Sequence, residues 1–365
     1  MHIKKIGVKN FRNLEEQTIC FSPGLNILEG ENAQGKTNIL ESICLLGWGK
    51  SPRADKEKEI INWDCESSTI KTEYDSFEGS KSIEMKLSKK EKKRILINSL
   101  PLVRTGEILG NLNVVYFSPD EIRIIKEGPN ERRRFLDIDL CQLDKNYYYA
   151  AIKYNKALAQ RNTLLKTYSD AKTLRDILGV FDKQMVKTGA LIIEKRQAFL
   201  KQLNPLAEEF HKKITDSKEE FSLQYQTTVR GNTREEIAEE FICLLEKDLE
   251  KQQKLGYTLC GPHRDDVKLE CSGIDIRTFG SQGQQRTAAL SLKFAEVKLF
   301  EQLTKDFPVL LLDDVLSELD VNRQKKLLSF SREMQTIITA THLESELDFS
   351  KSKLMKVKGG RVKEL

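Results

Sequence analysis

Gly30, Gly35, Lys36 and Thr37 stand at the spacing Gly-x4-Gly-Lys-Thr, a combination of residue types suited to holding a polyphosphate. The glycines let backbone N–H groups face phosphate oxygens, and the helix that follows adds positive potential at its N-terminus. Lys36 would reach the β and γ phosphates, and the Thr37 hydroxyl suits Mg²⁺. The whole loop comprises Gly30, Glu31, Asn32, Ala33, Gln34, Gly35, Lys36, Thr37 and Asn38. A glycine-rich turn without a ligand is the bland alternative; a strand before the loop and a helix after it speak against that.

Three further stretches carry chemistry. In "VLLLDDV", residues 309–315, apolar residues bury a strand and Asp313 emerges at its C-terminal end, where α/β sheets bind ligands. Asp313 can hold Mg²⁺ with Thr37, and Asp314 is placed to orient an attacking water, since phosphoryl transfer needs positioning more than covalent chemistry. "SQGQQ" opens a helix with Ser281, Gln282, Gly283 and Gln284; Ser281 is an N-cap, and Gly283 permits a phosphate to approach, though an ordinary cap reads the same way. His342 follows the apolar strand "TIITAT", where an imidazole could touch a γ-phosphate or serve a structural role.

These residues need elements to position them. Apolar runs at 3–8, 25–28 and 114–117 read as strands, and Ile39, Leu40, Ile43 and Leu46 fall on one face of a helix after the loop. Residues 67–98 alternate as antiparallel strands of a small β-lobe. From 119 to 255 the spacing is helical, with Pro205 the main interior breaker and "EEFSLQYQTTV" an interrupting strand. The fold class expected is α/β, a P-loop sheet core with an antiparallel β-lobe, built from 1–118 and 256–365, with a mainly helical insertion at 119–255. The broken spacing of that insertion favours compact helices over a coiled-coil arm.

Composition narrows the function classes. The 365 residues carry 60 Lys+Arg against 55 Asp+Glu, so net charge does not itself imply nucleic acid. Seven cysteines, scattered and without a CxxC pair, give neither a zinc site nor a redox motif and suit a reducing cytoplasm. No signal-peptide core or membrane-length apolar run is visible.

Phosphate loop, Ser-x-Gly-Gln helix, Asp-Asp strand, "SELD" at 317–320 and a strand with histidine follow in one order. That order resembles the ABC-type ATPases, in particular their chromosome-maintenance and repair branch. Within it "IGVKNFRNL", "GENAQGKTNILESI", "ERRRFLD", "GPHRDD", "SQGQQ" and "LLLDDVLSELD" are similar to the RecF family of bacterial recombination mediators, essentially end to end. The resemblance implies Mg-ATP sandwiched between two protomers, Ser281 of one contacting the γ-phosphate held by the other, with Asp320 at the same seam. It implies an ATP-dependent homodimer that clamps DNA at gaps or junctions, a weak DNA-stimulated ATPase used as a switch, and action with RecR and RecO towards RecA loading.

Two departures stand out. Asp314 takes the place of a longer glutamate, so water is positioned less well and hydrolysis should be slow. No glutamine follows "NVVYFSPDEI"; Ser118 and Asp120 occupy that region.

DNA requires phosphate contacts from Lys and Arg. Lys4, Lys5, Lys9 and Arg12 form one cluster and "KLSKKEKKR" at 86–94 a second. The third places Arg132, Arg133, Arg134, Lys145, Lys153, Lys156 and Arg161 among Tyr147, Tyr148, Tyr149 and Tyr154, aromatics that suit either DNA or a helix core. No base-reading motif is evident, so contacts to backbone and shape are expected. The alternatives are a nuclease or motor of the same superfamily, for which "GPHRDD" is the dense carboxylate candidate, and a transporter ATPase.

Overall fold

The computed structural model describes residues 1–365 except Ser169 and 344–346, and except the side chains of residues 171 and 172. Chain contacts divide it into two units: Met1–Ile122, Phe210–Lys218 and Arg286–Leu365 form the first, Arg123–Glu209 and Glu219–Gln285 the second.

The first unit opens with β1 (His2–Lys9), β2 (Gln17–Cys20) and β3 (Leu25–Glu29), then the phosphate loop and α1 (Lys36–Trp48). β4 (Ser67–Ser76), β5 (Gly79–Ser88), β6 (Arg94–Ile97), β7 (Leu100–Pro101) and β8 (Val114–Phe117) follow. The expected β-lobe at 67–98 is there, and it is larger than its alternation indicated: β1 and β2 join it in an antiparallel sheet of order β2-β1-β4-β5-β6-β7. After β8 the chain turns out through a short helix, α2 (Arg123–Lys126).

In the second unit the main helices are α3 (Pro129–Leu143), α4 (Lys145–Thr167) and α5 (Ala171–Thr215), then β9 (Phe221–Gln226), α6 (Arg234–Lys247), α7 (Leu249–Leu255), β10 (Asp266–Cys271), β11 (Ile274–Asp275) and α8 (Ile276–Phe279). Leu165, Leu174, Leu178 and Leu249 close part of its core. α9 (Gln282–Thr304) leads back to the first unit, where β12 (Val309–Asp313), α10 (Val321–Phe330), β13 (Thr336–Ala340), β14 (Lys353–Lys358) and β15 (Arg361–Glu364) complete the second sheet, of order β15-β14-β3-β13-β12-β8.

That sheet is parallel from β14 to β8, with β15 an antiparallel edge. β8, β12 and β13 are buried throughout, as strands covered on both faces must be. Register sets Asp313 beside Thr339 and Leu312 beside Phe117, so the carboxyl ends of β3, β8, β12 and β13 lie level. The phosphate loop leaves β3 at that same end.

The structure redraws three expectations. Residues 256–285 were expected in the ATPase head but cluster with the second unit, because β10 pairs along its length with β9 and backbone hydrogen bonds carry the segment with it. Pro205 does not break α5, which runs 45 residues through it; Leu203, Ala207 and Phe210 are buried around the proline, and that packing outweighs the lost backbone bond. The end of α5 belongs to the first unit: Phe210 packs on Phe294 and Phe330, and Lys326 donates to the terminal carbonyls of Lys213 and Ile214 at 2.9 Å, satisfying orphan acceptors of the helix.

Candidate functional site

The phosphate loop is held from both sides. Gly30 N–H donates to Ala340 O at 3.1 Å, and a Cβ on Gly30 would meet Val357 O at 2.3 Å, so only glycine fits. Gly35, at φ 109°, turns the chain into α1, a conformation open to glycine. Gln34 accepts from Gly359 N–H through its side chain at 2.7 Å and from Gly360 N–H through its carbonyl at 2.9 Å.

Lys36 is buried and donates to the loop's own carbonyls, Gly30 O and, at 2.9 Å, Glu31 O. Burial lowers its pKa, while Asp314 and Asp313 act in the opposite direction. A chelating polyphosphate would replace those carbonyl partners with charge.

Asp313 gathers three hydroxyls. Its Oδ1 accepts from Thr37 at 3.0 Å and from Thr339 at 2.7 Å, and its Oδ2 from Tyr116 at 3.0 Å. Thr37 and Asp313 thus offer adjacent hard oxygens, the donor set Mg²⁺ takes. Asp314 follows at φ 52°, its N–H donating to Thr339 Oγ1 at 2.9 Å. Burial raises the Asp314 carboxyl above the ordinary range; Lys36 lowers it, and Asp313 and Glu318 push it further up. These groups line a cavity of about 450 Å³ with loop residues 32–38, Asn13, Arg53 and Pro119.

Sequence reasoning missed Tyr116, Thr339 and Arg53. The first two sit inside runs read as apolar strands, and their only signal was a polar atom in a buried stretch. Arg53 donates to Asn38 Oδ1 at 3.1 Å and brings a cation to the phosphate cavity. His342 is exposed beyond β13 and is not among the residues lining that cavity; strand end and loop do not converge on it.

Ser281 and Gln284 form a reciprocal cap. Ser281 Oγ accepts from Gln284 N–H at 3.2 Å, and Gln284 Oε1 accepts from Ser281 N–H at 2.9 Å, a capping box. Ser281 and Gln282 are exposed and Gly283 is partly so. Asp320 caps α10 by accepting from Arg323 N–H at 3.0 Å, which holds its carboxyl below the usual range.

The basic clusters divide by burial. Arg161 is fully buried, bonded to Asp182 at 2.5 Å, Gln252 at 2.6 Å and Thr258 at 2.9 Å. Arg132, 3% exposed, forks onto Asp266 at 2.6 and 3.0 Å. Neither can reach DNA; both are internal ties whose cost of burial is met by full pairing. Arg133 is half-buried against Asp265 O at 2.6 Å, whereas Arg134, Lys145, Lys153 and Lys156 are exposed. Tyr147 and Tyr154 are core residues, bonded to Asp137 and His263. In the first cluster Lys4, Lys5 and Lys9 pair with Asp75, Glu73 and Glu16, and Arg12 forks onto the buried Glu41 of α1.

"GPHRDD" is a structural corner. His263 Nε2 faces Thr258 O at 3.2 Å and Nδ1 the Tyr154 hydroxyl at 2.7 Å, Asp265 accepts from Tyr225 at 2.5 Å, and Asp266 is taken by Arg132. No pair of its carboxylates is left facing a common metal.

Fold and site together define the head of an ABC-type ATPase. The family model described as RecF/RecN/SMC N terminal domain matches residues 2–361. The chain is 43% identical over 368 residues, the full length of both proteins, to the DNA replication and repair protein RecF of Clostridium botulinum strain Okra. To RecF of Lachnoclostridium phytofermentans it is 46% identical over 344 residues, 94% of each chain. A solved structure of the recombination mediator protein RecF with ATP, from the RecFOR pathway, superposes with a TM-score of 0.91 at 39% identity, covering 100% of this chain and 97% of that one. The chain belongs to the RecF family.

Proposed function

We propose that this chain is an ATP-switched DNA-binding protein of recombinational repair and replication-fork maintenance, with RecO and RecR as its pathway partners. The observation that carries the reading is the convergence of Lys36, Thr37, Asp313 and Asp314 on one cavity at the carboxyl edge of the sheet. ATP lies along the loop, its phosphates taking the N–H groups of 33–38 and the Lys36 ammonium that loop carbonyls now occupy. Mg²⁺, held at Thr37 and Asp313, neutralises phosphate charge. Tyr116 and Thr339 keep the Asp313 carboxylate turned towards Thr37. Asp314 orients water from a main chain fixed by Thr339, one methylene shorter than glutamate would be, so turnover is slow and the bound state long-lived.

The exposed Ser281 of one protomer meets the γ-phosphate of the other, exchanging its cap bond for a phosphate contact, and the ATP-bound dimer clamps gapped or junction DNA. Release follows hydrolysis. Arg134, Lys145, Lys153 and Lys156 are the exposed members of the helical cluster available to DNA backbone. A nuclease is not favoured, since the "GPHRDD" carboxylates are committed to Arg132 and Tyr225.

Equilibrium dialysis with Lys36→Ala tests the reading. ATP affinity should fall about a hundredfold, the scale of losing a buried charge-assisted contact; wild-type affinity would reject it.

A further inference from the structure

A second cavity, of about 380 Å³, adjoins the phosphate cavity and is lined in part by Asn13, Asn38, Arg53, Ile61, Trp63 and Asp64. Asn13, Asn38 and Arg53 line both and form their common wall: Asn38 donates to Asn13 Oδ1 at 2.8 Å and Arg53 to Asn38 Oδ1 at 3.1 Å.

Trp63 is 89% exposed, yet the turn that carries it is fixed. Asn62 donates to Arg12 O at 2.8 Å and accepts from Asp64 N–H at 3.1 Å, and Lys89 Nζ donates to Trp63 O at 2.9 Å. Ile61 beneath is buried. A bare indole on a rigid turn is costly to leave in water and suits a flat aromatic ring, which it can stack without first being ordered. Beside it, Asp64 is an exposed carboxylate, an acceptor-only group that suits an exocyclic amino donor.

We infer that this second cavity seats the purine base of the nucleotide, with Trp63 stacking on the ring and Asp64 accepting from the 6-amino group of adenine. The inference rests on the reading of residues 30–38 as a phosphate loop. It explains how a site whose phosphate half is indifferent to the base can prefer ATP.

Calorimetry on the full chain, with ATP, ITP and inorganic tripolyphosphate as ligands, separates the two halves. Trp63→Ala should weaken ATP about tenfold to a hundredfold, the effect of losing one base–aromatic stack, leave tripolyphosphate unchanged, and be largely rescued by Trp63→Phe. Asp64→Asn should narrow the preference for ATP over ITP. In the wild type, ATP but not tripolyphosphate should change the emission of the exposed indole, and that change should vanish in Trp63→Ala. Unaltered ATP affinity in Trp63→Ala would overturn the inference and leave the phosphate loop standing, and equal loss for tripolyphosphate would make Trp63 a support of the fold. An emission change caused by gapped DNA and not by ATP would place the indole on DNA, whereas no binding of either ligand by the wild type would remove the loop reading with it.

Discussion

Asp313 accepts hydrogen bonds from three hydroxyls, and each has a separable consequence. Thr37 must remain free to leave the carboxylate for Mg²⁺, whereas Tyr116 and Thr339 hold it. Tyr116→Phe should therefore raise the Mg²⁺ concentration needed for half-maximal hydrolysis about tenfold, as lost supporting contacts around metal ligands do, while ATP affinity without Mg²⁺ stays unchanged; titration with Mg²⁺ checks it. Asp314 is pushed upward by burial first. Its charged form orients water, so hydrolysis should rise with pH through a pKa above the usual carboxylate range. That acid limb should be missing from the pH profile of Asp314→Asn, which should accumulate as an ATP-bound dimer. Lys36, Thr37, Asp313 and Asp314 were legible in the sequence because their spacing is fixed by phosphate geometry. Tyr116 and Thr339 were not, since which face a buried strand turns to a carboxylate depends on register with a distant partner.

Among the elements, the phosphate loop depends on a close approach to β14. Gly30→Ala sets a methyl group against Val357 O and should lower both ATP affinity and melting temperature; Gly24→Ala, with open space around it, should leave both near wild type, as nucleotide titration and thermal denaturation would show. The corner after α7 makes the helical unit acid-sensitive. Thr258 O can only accept, so His263 carries its proton on Nε2 and accepts from Tyr154 at Nδ1. Burial, then Arg264, Arg133 and Arg161, depress its pKa to about 4, against a raising contribution from Thr258. Above about pH 6.5 neither folded nor unfolded histidine is charged; as pH falls towards 4 the unfolded chain binds a proton that the folded one refuses. Stability should drop across that window by about 3 kcal/mol, and His263→Gln should flatten the slope in denaturant titrations. Helical periodicity in 119–255 was readable, but the pairing of β10 with β9 was not, because it joins segments 45 residues apart with no shared motif. Nor was the burial of Arg132 and Arg161: composition groups charges by sequence, and only packing decides which of them turn inward.

For the whole molecule, α9 carries Ser281 to Gln285 in the helical unit and Arg286 onward in the ATPase head. Arg286 is bonded to Glu318 of "SELD", with Nη1 donating to Glu318 O at 3.0 Å, so the signature helix and the stretch after the Asp-Asp strand share an anchor. Both are placed where a second protomer's nucleotide would act on them. Ser281→Ala, which costs a cap worth about 1 kcal/mol, should bind ATP with unchanged affinity yet remain monomeric in sedimentation; dimer formation by this variant would remove the contact between protomers. The central claim is that ATP joins two chains on DNA. Light scattering of the wild-type protein on a gapped duplex, with Mg-ATP and without nucleotide, measures it directly. A protein mass that doubles only with Mg-ATP is the expected result; a single chain on DNA in both conditions would mean that ATP acts within one protomer, and the clamp would have to be abandoned.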